Sequence, residues 1–129
     1  MVLSTTLIIK YKAMELSGES FLLRIFIGEL DKVNGTPLYE VIVYAAKRYG
    51  IAGATVLRGI MGYGANSVVH TEKLLTLSND LPVVVELVDE EVKIKGFLES
   101  MQKFMPKSRF GALITLERVN VLHYEASKD

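Results

Sequence analysis

Hydrophobic positions along the chain alternate in blocks that predict strands, and twice they fall into a helical stripe. Phe21, Leu23, Ile25 and Ile27 point one way while Leu22, Arg24 and Phe26 point the other, so residues 21–28 predict a first strand. Both of its faces are largely apolar, which asks for cover on both sides. Residues 29–35 read as a polar loop containing Asn34-Gly35. Thr36-Pro37 then opens a helix, with Thr36 as N-cap and Pro37 at the first helical position. Leu38, Val41, Ile42, Ala45, Ala46 and Tyr49 form one apolar stripe at helical spacing, and Gly50 ends it as a C′ glycine behind Lys47 and Arg48.

Residues 53–64 predict a second strand that ends in Gly59, Gly62 and Gly64. Glycine weakens a strand, so its presence marks a bend, or a backbone bared for the close approach of a phosphate or ring. A polar stretch over residues 65–80 follows, long for a connection in a compact domain. Residues 81–88 predict a third strand, with Pro82 at its start and a valine run that suggests burial on both faces. Asp89-Glu90-Glu91 caps a second helix whose inner stripe is Val92, Ile94, Phe97, Leu98, Met101 and Met105, with Pro106 as the stop. The last strand runs over residues 113–124, and a slip in its alternation at Glu117-Arg118 predicts a bulge. Near the N-terminus, Leu7, Ile9 and Tyr11 alternate with Ile8, Lys10 and Lys12 as a short edge strand, and Ser17-Gly18-Glu19-Ser20 reads as a turn.

The order is β-α-β-β-α-β, an α+β ferredoxin-like arrangement with two helices on one face of a four-stranded antiparallel sheet. The domain is expected over residues 21–124, with an extension at 1–20 and a tail at 125–129. The face without helices carries Leu22, Phe26 and alternate valines of the third strand, so copies of the chain are expected to bury it.

Composition narrows the function. With 129 residues, half of them hydrophobic, the chain makes one globular domain. Mean hydropathy of +0.28 is high for a soluble protein, yet no run approaches a membrane span, so excess apolar surface is expected at a subunit interface. Fifteen basic and fifteen acidic residues cancel, which argues against nucleic-acid binding. The absence of cysteine excludes disulfides, cysteine-zinc sites and thiol catalysis. No signal-peptide pattern is present, and a cytoplasmic protein is expected.

Candidate chemistry is sparse. His70, within His70-Thr71-Glu72, suits a phosphate contact or a metal site with Glu72, or is a packed or solvated loop histidine. Tyr63 stacks on a base or packs under the loop. Arg58 inside a strand wants a partner: a phosphate, a carboxylate across an interface, or solvent. Glu29 and Asp31 offer an acid pair for catalysis, but beside Lys32 in a polar loop they read rather as a solvated turn, and His123 looks structural. No nucleophile elbow or Walker A lysine is visible, so no catalytic residue, no metal site and no enzymatic activity are expected.

Met61-Gly62-Tyr63-Gly64 followed by His70-Thr71-Glu72, then Leu81-Pro82 and a valine-rich strand, resembles the T-loop region of PII signalling proteins. Gly28-Glu29, Asp31-Lys32, Pro37-Leu38-Tyr39, Gly53-Ala54-Thr55-Val56, Arg58-Gly59-Ile60-Met61-Gly62, Leu77-Ser78 and Asp80-Leu81-Pro82 are similar to the PII-like family called domain of unknown function 190. The resemblance runs from about Leu22 to Val121. It implies a homotrimer with an adenine-nucleotide site at clefts between subunits. Carried over residue by residue, the site comprises Gly62, Tyr63 and Gly64, then Leu81 and Val83, then Lys107, Arg109 and Gly111; Arg58 and His70 join it as candidate phosphate contacts. The glycine-rich turn of PII proteins is replaced here by Lys107-Ser108-Arg109-Phe110-Gly111, so AMP or ADP is expected rather than a triphosphate alone. The mobile segment 65–80 would signal to a protein or membrane-transporter partner; it has no tyrosine for a uridylylation switch. The competing expectation is a metal-responsive or purely structural trimeric interaction protein with no nucleotide ligand.

Overall fold

The computed structural model describes residues 20–65, 68–73, 80–105 and 111–127. Four strands form one sheet: β1 (Ser20–Gly28), β4 (Gly53–Arg58), β7 (Pro82–Glu90) and β8 (Leu113–Val119). Their order is β4-β7-β1-β8 with every pair antiparallel, the ferredoxin-like topology. Helices α1 (Leu38–Tyr49) and α2 (Glu91–Met101) lie on one face. Two small hairpins complete the description: β2 (Lys32–Val33) with β3 (Thr36–Pro37), and β5 (Met61–Gly62) with β6 (His70–Thr71).

Burial follows the period-2 pattern of the central strands. Phe21, Leu23, Ile25 and Ile27 of β1 and Val83, Val85 and Leu87 of β7 are buried under Leu38, Ile42 and Ala46 of α1 and Ile94, Phe97 and Met101 of α2. Each such large side chain contributes roughly 1.5–3 kcal/mol by leaving water. Helix α1 ends as its sequence predicts: Gly50 takes φ 94°, and the Gly50 and Ile51 N–H groups donate to Lys47 and Ala46 carbonyls.

Several expectations are corrected. Thr36 does not cap α1. It pairs with Val33 across an Asn34-Gly35 turn whose two residues both have positive φ, and Pro37 becomes the N-cap residue. In α2, Val92 faces solvent, and Met105 is buried from a turn beyond the helix, where its N–H donates to the Met101 carbonyl. Asp89 is the buried last-but-one residue of β7 rather than a cap; its Oδ2 accepts the Ala52 N–H at 2.8 Å. Strand β7 is not buried on both faces: its side chains alternate between buried and half-buried.

Strand β8 keeps an unbroken register with β1 from Phe26↔Leu113 to Ser20↔Val119, so there is no bulge at Glu117-Arg118. The apolar alternation slips there because Glu117 reaches Arg24. Nor does β8 extend to residue 124. Tyr124 donates its hydroxyl to the Ala52 carbonyl (2.7 Å) beside β4, on the opposite sheet edge, so the chain crosses the end of the sheet after Val119. The strand expected over residues 53–64 stops at Arg58, for a reason given below. The expected strand at residues 7–11 and the Pro106 stop lie outside the described residues, as do Ser17, Gly18 and Glu19 of the expected turn; Ser20 opens β1.

The second sheet face is striped rather than uniformly apolar. Leu57, Val84, Phe26 and Leu113 make one apolar row across all four strands. Phe26, Leu57 and Leu113 are exposed there. The next row is polar: Thr55, Glu86, Arg24 and Thr115. Arg24 Nε bonds Glu86 at 2.9 Å, and its Nη1 bonds Glu117.

Phe97 is fully buried between α2 and the sheet and meets Tyr49 edge-on at 5.8 Å. Phe97→Ala is expected to cost about 3–5 kcal/mol in urea unfolding, against under about 1 kcal/mol for Val92→Ala on the exposed side of the same helix.

Candidate functional site

Pro82 shapes the candidate site. Arg58 pairs with Val83, so the next residue, Gly59, falls opposite Pro82, which has no N–H to donate. Gly59 N–H still donates to the Pro82 carbonyl (2.7 Å), and there the ladder ends. A Cβ on Gly59 would stand 2.8 Å from Pro82 Cγ, and one on Gly62 3.1 Å. The group that approaches these two glycines is therefore the proline ring. Relieved of the ladder, the chain turns away and Met61–Gly62 pairs with His70–Thr71.

Between that hairpin and the sheet opens a cleft of 850 Å³. Gly62, Tyr63, Gly64 and His70 line it from the hairpin side, with Val83 and Gly111 from the sheet side. A Cβ at Gly64 or Gly111 would meet nothing within 4 Å, so these backbones are open to a ligand. The apolar row contributes Phe26, Val84 and Leu113 to the same cleft. Six of the ten sequence-predicted site residues thus converge.

The other four do not. Arg58 faces a smaller cleft of 190 Å³ with Glu29, Tyr39, Val56 and Val83, and its Nη2 bonds Glu29 Oε1 at 2.7 Å. Its partner is a carboxylate of its own chain. Leu81 is buried and serves the fold, its carbonyl accepting the Glu29 N–H at 2.8 Å. Lys107 and Arg109 lie outside the described residues.

The acidic side of the larger cleft is formed by Asp31, which the sequence presents as part of a solvated turn, and Asp80, which no sequence pattern singled out as a site residue. Asp31 Oδ2 accepts the Gly28 N–H at 3.0 Å, and its carbonyl accepts the Leu38 N–H at 2.7 Å. Asp80 Oδ1 accepts the Leu30 N–H at 2.8 Å. Gly28 admits Asp80: a Cβ there would come within 2.6 Å of its carboxylate. The available signal was Gly28 paired with Asp80-Leu81-Pro82, both quoted in the resemblance. Among the described residues no three His, Asp or Glu side chains are placed to hold a metal.

The family model DUF190, described as Uncharacterized ACR, matches residues 20–121. The chain belongs to the DUF190 family. A UPF0166 protein of Aquifex aeolicus is 46% identical over 102 residues, 79% of this DUF190 chain and 92% of the relative. One of Methanocaldococcus jannaschii is 41% identical over 80 residues, 62% of this chain and 73% of the relative. Among solved structures, the chain resembles CPII, a nitrogen regulatory PII-like protein from Thiomonas intermedia solved with ADP, AMP and bicarbonate. The TM-score is 0.61 at 17% identity, covering 82% of this chain and 91% of CPII. A chain from Thermus thermophilus described as PII-like aligns with TM-score 0.57 at 18% identity, covering 81% and 90%. This DUF190 chain therefore has the PII-like α+β fold.

Partial burial, opposed by the Gly28 hydrogen bond and reinforced by Asp80, raises the Asp31 carboxyl above its ordinary 3.8. A carboxyl raised in the fold stabilises it fully below pH 3.8, and that contribution is lost as pH rises through the raised value. Asp31→Asn removes the titration while an amide oxygen can still accept the Gly28 N–H. Urea unfolding across pH 3 to about 7 is expected to show the variant gaining on the native chain as pH rises; a pH-independent difference would contradict the assignment.

Proposed function

We propose that this DUF190 chain is a PII-like regulatory protein that binds an adenine nucleotide of the AMP or ADP class in the larger cleft. The observation that carries the proposal is the cleft itself, where Gly64 and Gly111 bare their backbones beside Tyr63 and His70. Backbone N–H groups suit phosphate oxygens, and Tyr63 offers an aromatic face to a base. Lys107 and Arg109 precede Gly111 closely in sequence and would supply cationic partners for phosphate. CPII, whose fold this chain shares, is solved with ADP and AMP.

The proposal includes a homotrimer. Exposed Phe26, Leu57 and Leu113 form an apolar row that a second copy would cover. Phe26 and Leu113 also border the cleft, so a neighbouring subunit seated there would close it. Within the segment 65–80, His70–Thr71 belong to the same hairpin, and a ligand-dependent change in the order of the segment would carry the signal to a partner. In this account the chain binds and reports; it assigns no catalytic group.

Thermal denaturation with AMP, ADP, ATP and divalent metals tests the ligand class. A nucleotide at a hundredfold excess over its Kd is expected to add about 2.7 kcal/mol and raise Tm by several degrees. Light scattering is expected to give three times 14.4 kDa. Silence toward every nucleotide with a response to metal alone would overturn the nucleotide assignment, and a monomer would overturn the trimer.

A further inference from the structure

The larger cleft is not uniform, and its acidic end decides which part of a nucleotide can lie there. Asp31 and Asp80 both meet Gly28, one accepting its N–H and the other filling the space that a Cβ on Gly28 would need. Each carboxylate has one oxygen held by backbone: Asp31 Oδ2 by Gly28 and Asp80 Oδ1 by Leu30. Those bonds fix the orientation of both groups. The remaining oxygens, Asp31 Oδ1 and Asp80 Oδ2, accept no hydrogen bond from any described residue, and both residues line the cleft.

Two carboxylates this close repel a phosphate, whose charge has the same sign. They attract neutral donors instead, because a hydroxyl donating to a carboxylate makes a charge-assisted bond. The ribose of a nucleotide offers two adjacent hydroxyl donors, and dinucleotide-binding folds read the same group with a single acidic side chain. An orientation with ribose at the acidic end sends the phosphate away from Asp31 and Asp80.

We propose that Asp80, with Asp31 beside it, reads the ribose: Asp80 Oδ2 and Asp31 Oδ1 accept the 2′- and 3′-hydroxyls, and the phosphate points away from them. The assignment rests on the nucleotide function proposed above and makes the site selective for ribonucleotides over deoxyribonucleotides.

Titration calorimetry on the full chain at fixed pH and salt, with AMP, 2′-deoxy-AMP, 3′-deoxy-AMP and IMP, tests it. The native chain is expected to bind AMP at least about tenfold more tightly than either deoxy form. Asp80→Asn can keep the Leu30 bond through its amide oxygen and presents an N–H donor where Oδ2 stood. In that variant AMP is expected to weaken about tenfold, and the penalty for removing the hydroxyl that Asp80 reads to shrink to under about twofold, while the penalty for removing the one that Asp31 reads stays. Equal affinity of the native chain for AMP and both deoxy forms overturns the ribose assignment while leaving the nucleotide function standing, and it needs no variant to fold. A loss on IMP that disappears in Asp80→Asn assigns the pair to the adenine amino group and also overturns it. Binding of none of the four overturns the nucleotide function itself, and this assignment with it.

Discussion

A proline that cannot donate a hydrogen bond is the constraint on which the candidate site depends. Pro82 begins β7 at the point where β4 would continue its ladder, and its ring fills the space beside Gly59 and Gly62. Any side chain at Gly59 would collide with that ring, so the two positions define each other. Had the ladder continued, residues 61–64 would extend the sheet edge and leave no hollow. Because it stops, the chain lifts off as the β5–β6 hairpin, and the space beneath becomes the 850 Å³ cleft.

The sheet that holds this junction has unequal faces. One is sealed by two helices around Phe97, Leu23 and Ile25, and supplies the stability against which hairpin and cleft are held. The other carries an apolar row from Leu57 to Leu113 and, beside it, the Arg24 pairs with Glu86 and Glu117. A striped surface suits association in a fixed register: the apolar row supplies burial, and the ionic row disfavours offset docking. The row also runs into the cleft through Phe26 and Leu113, so the proposed assembly and the proposed ligand site would share residues.

Period-2 and helical spacing made the fold legible from sequence, because burial on the helix-covered face imposes them directly. The C′ glycine at residue 50 was legible for the same reason, since its αL conformation excludes most side chains. What could not be read were features set by long-range contact. The slip at Glu117 looked like a bulge because its partner, Arg24, lies 93 residues away. Thr36 has the chemistry of an N-cap, yet the Asn34-Gly35 turn drew it into a hairpin. Gly59 and Gly62 were legible as close approaches, but not which group approaches them. Arg58 was legible as a strand arginine in want of a partner, but not that Glu29 of its own chain bonds it. Asp31 looked like a solvated turn, because nothing local reveals that Asp80 arrives beside the same glycine.

Amide hydrogen exchange on the full chain, with and without saturating AMP, tests the placement of the ligand most directly. The account predicts slower exchange at residues 61–64, 70–71 and 111–113, the walls of the larger cleft, with Tyr39, Val56 and Arg58 of the smaller one unchanged. Protection confined to the smaller cleft, or no change at any amide, would contradict it.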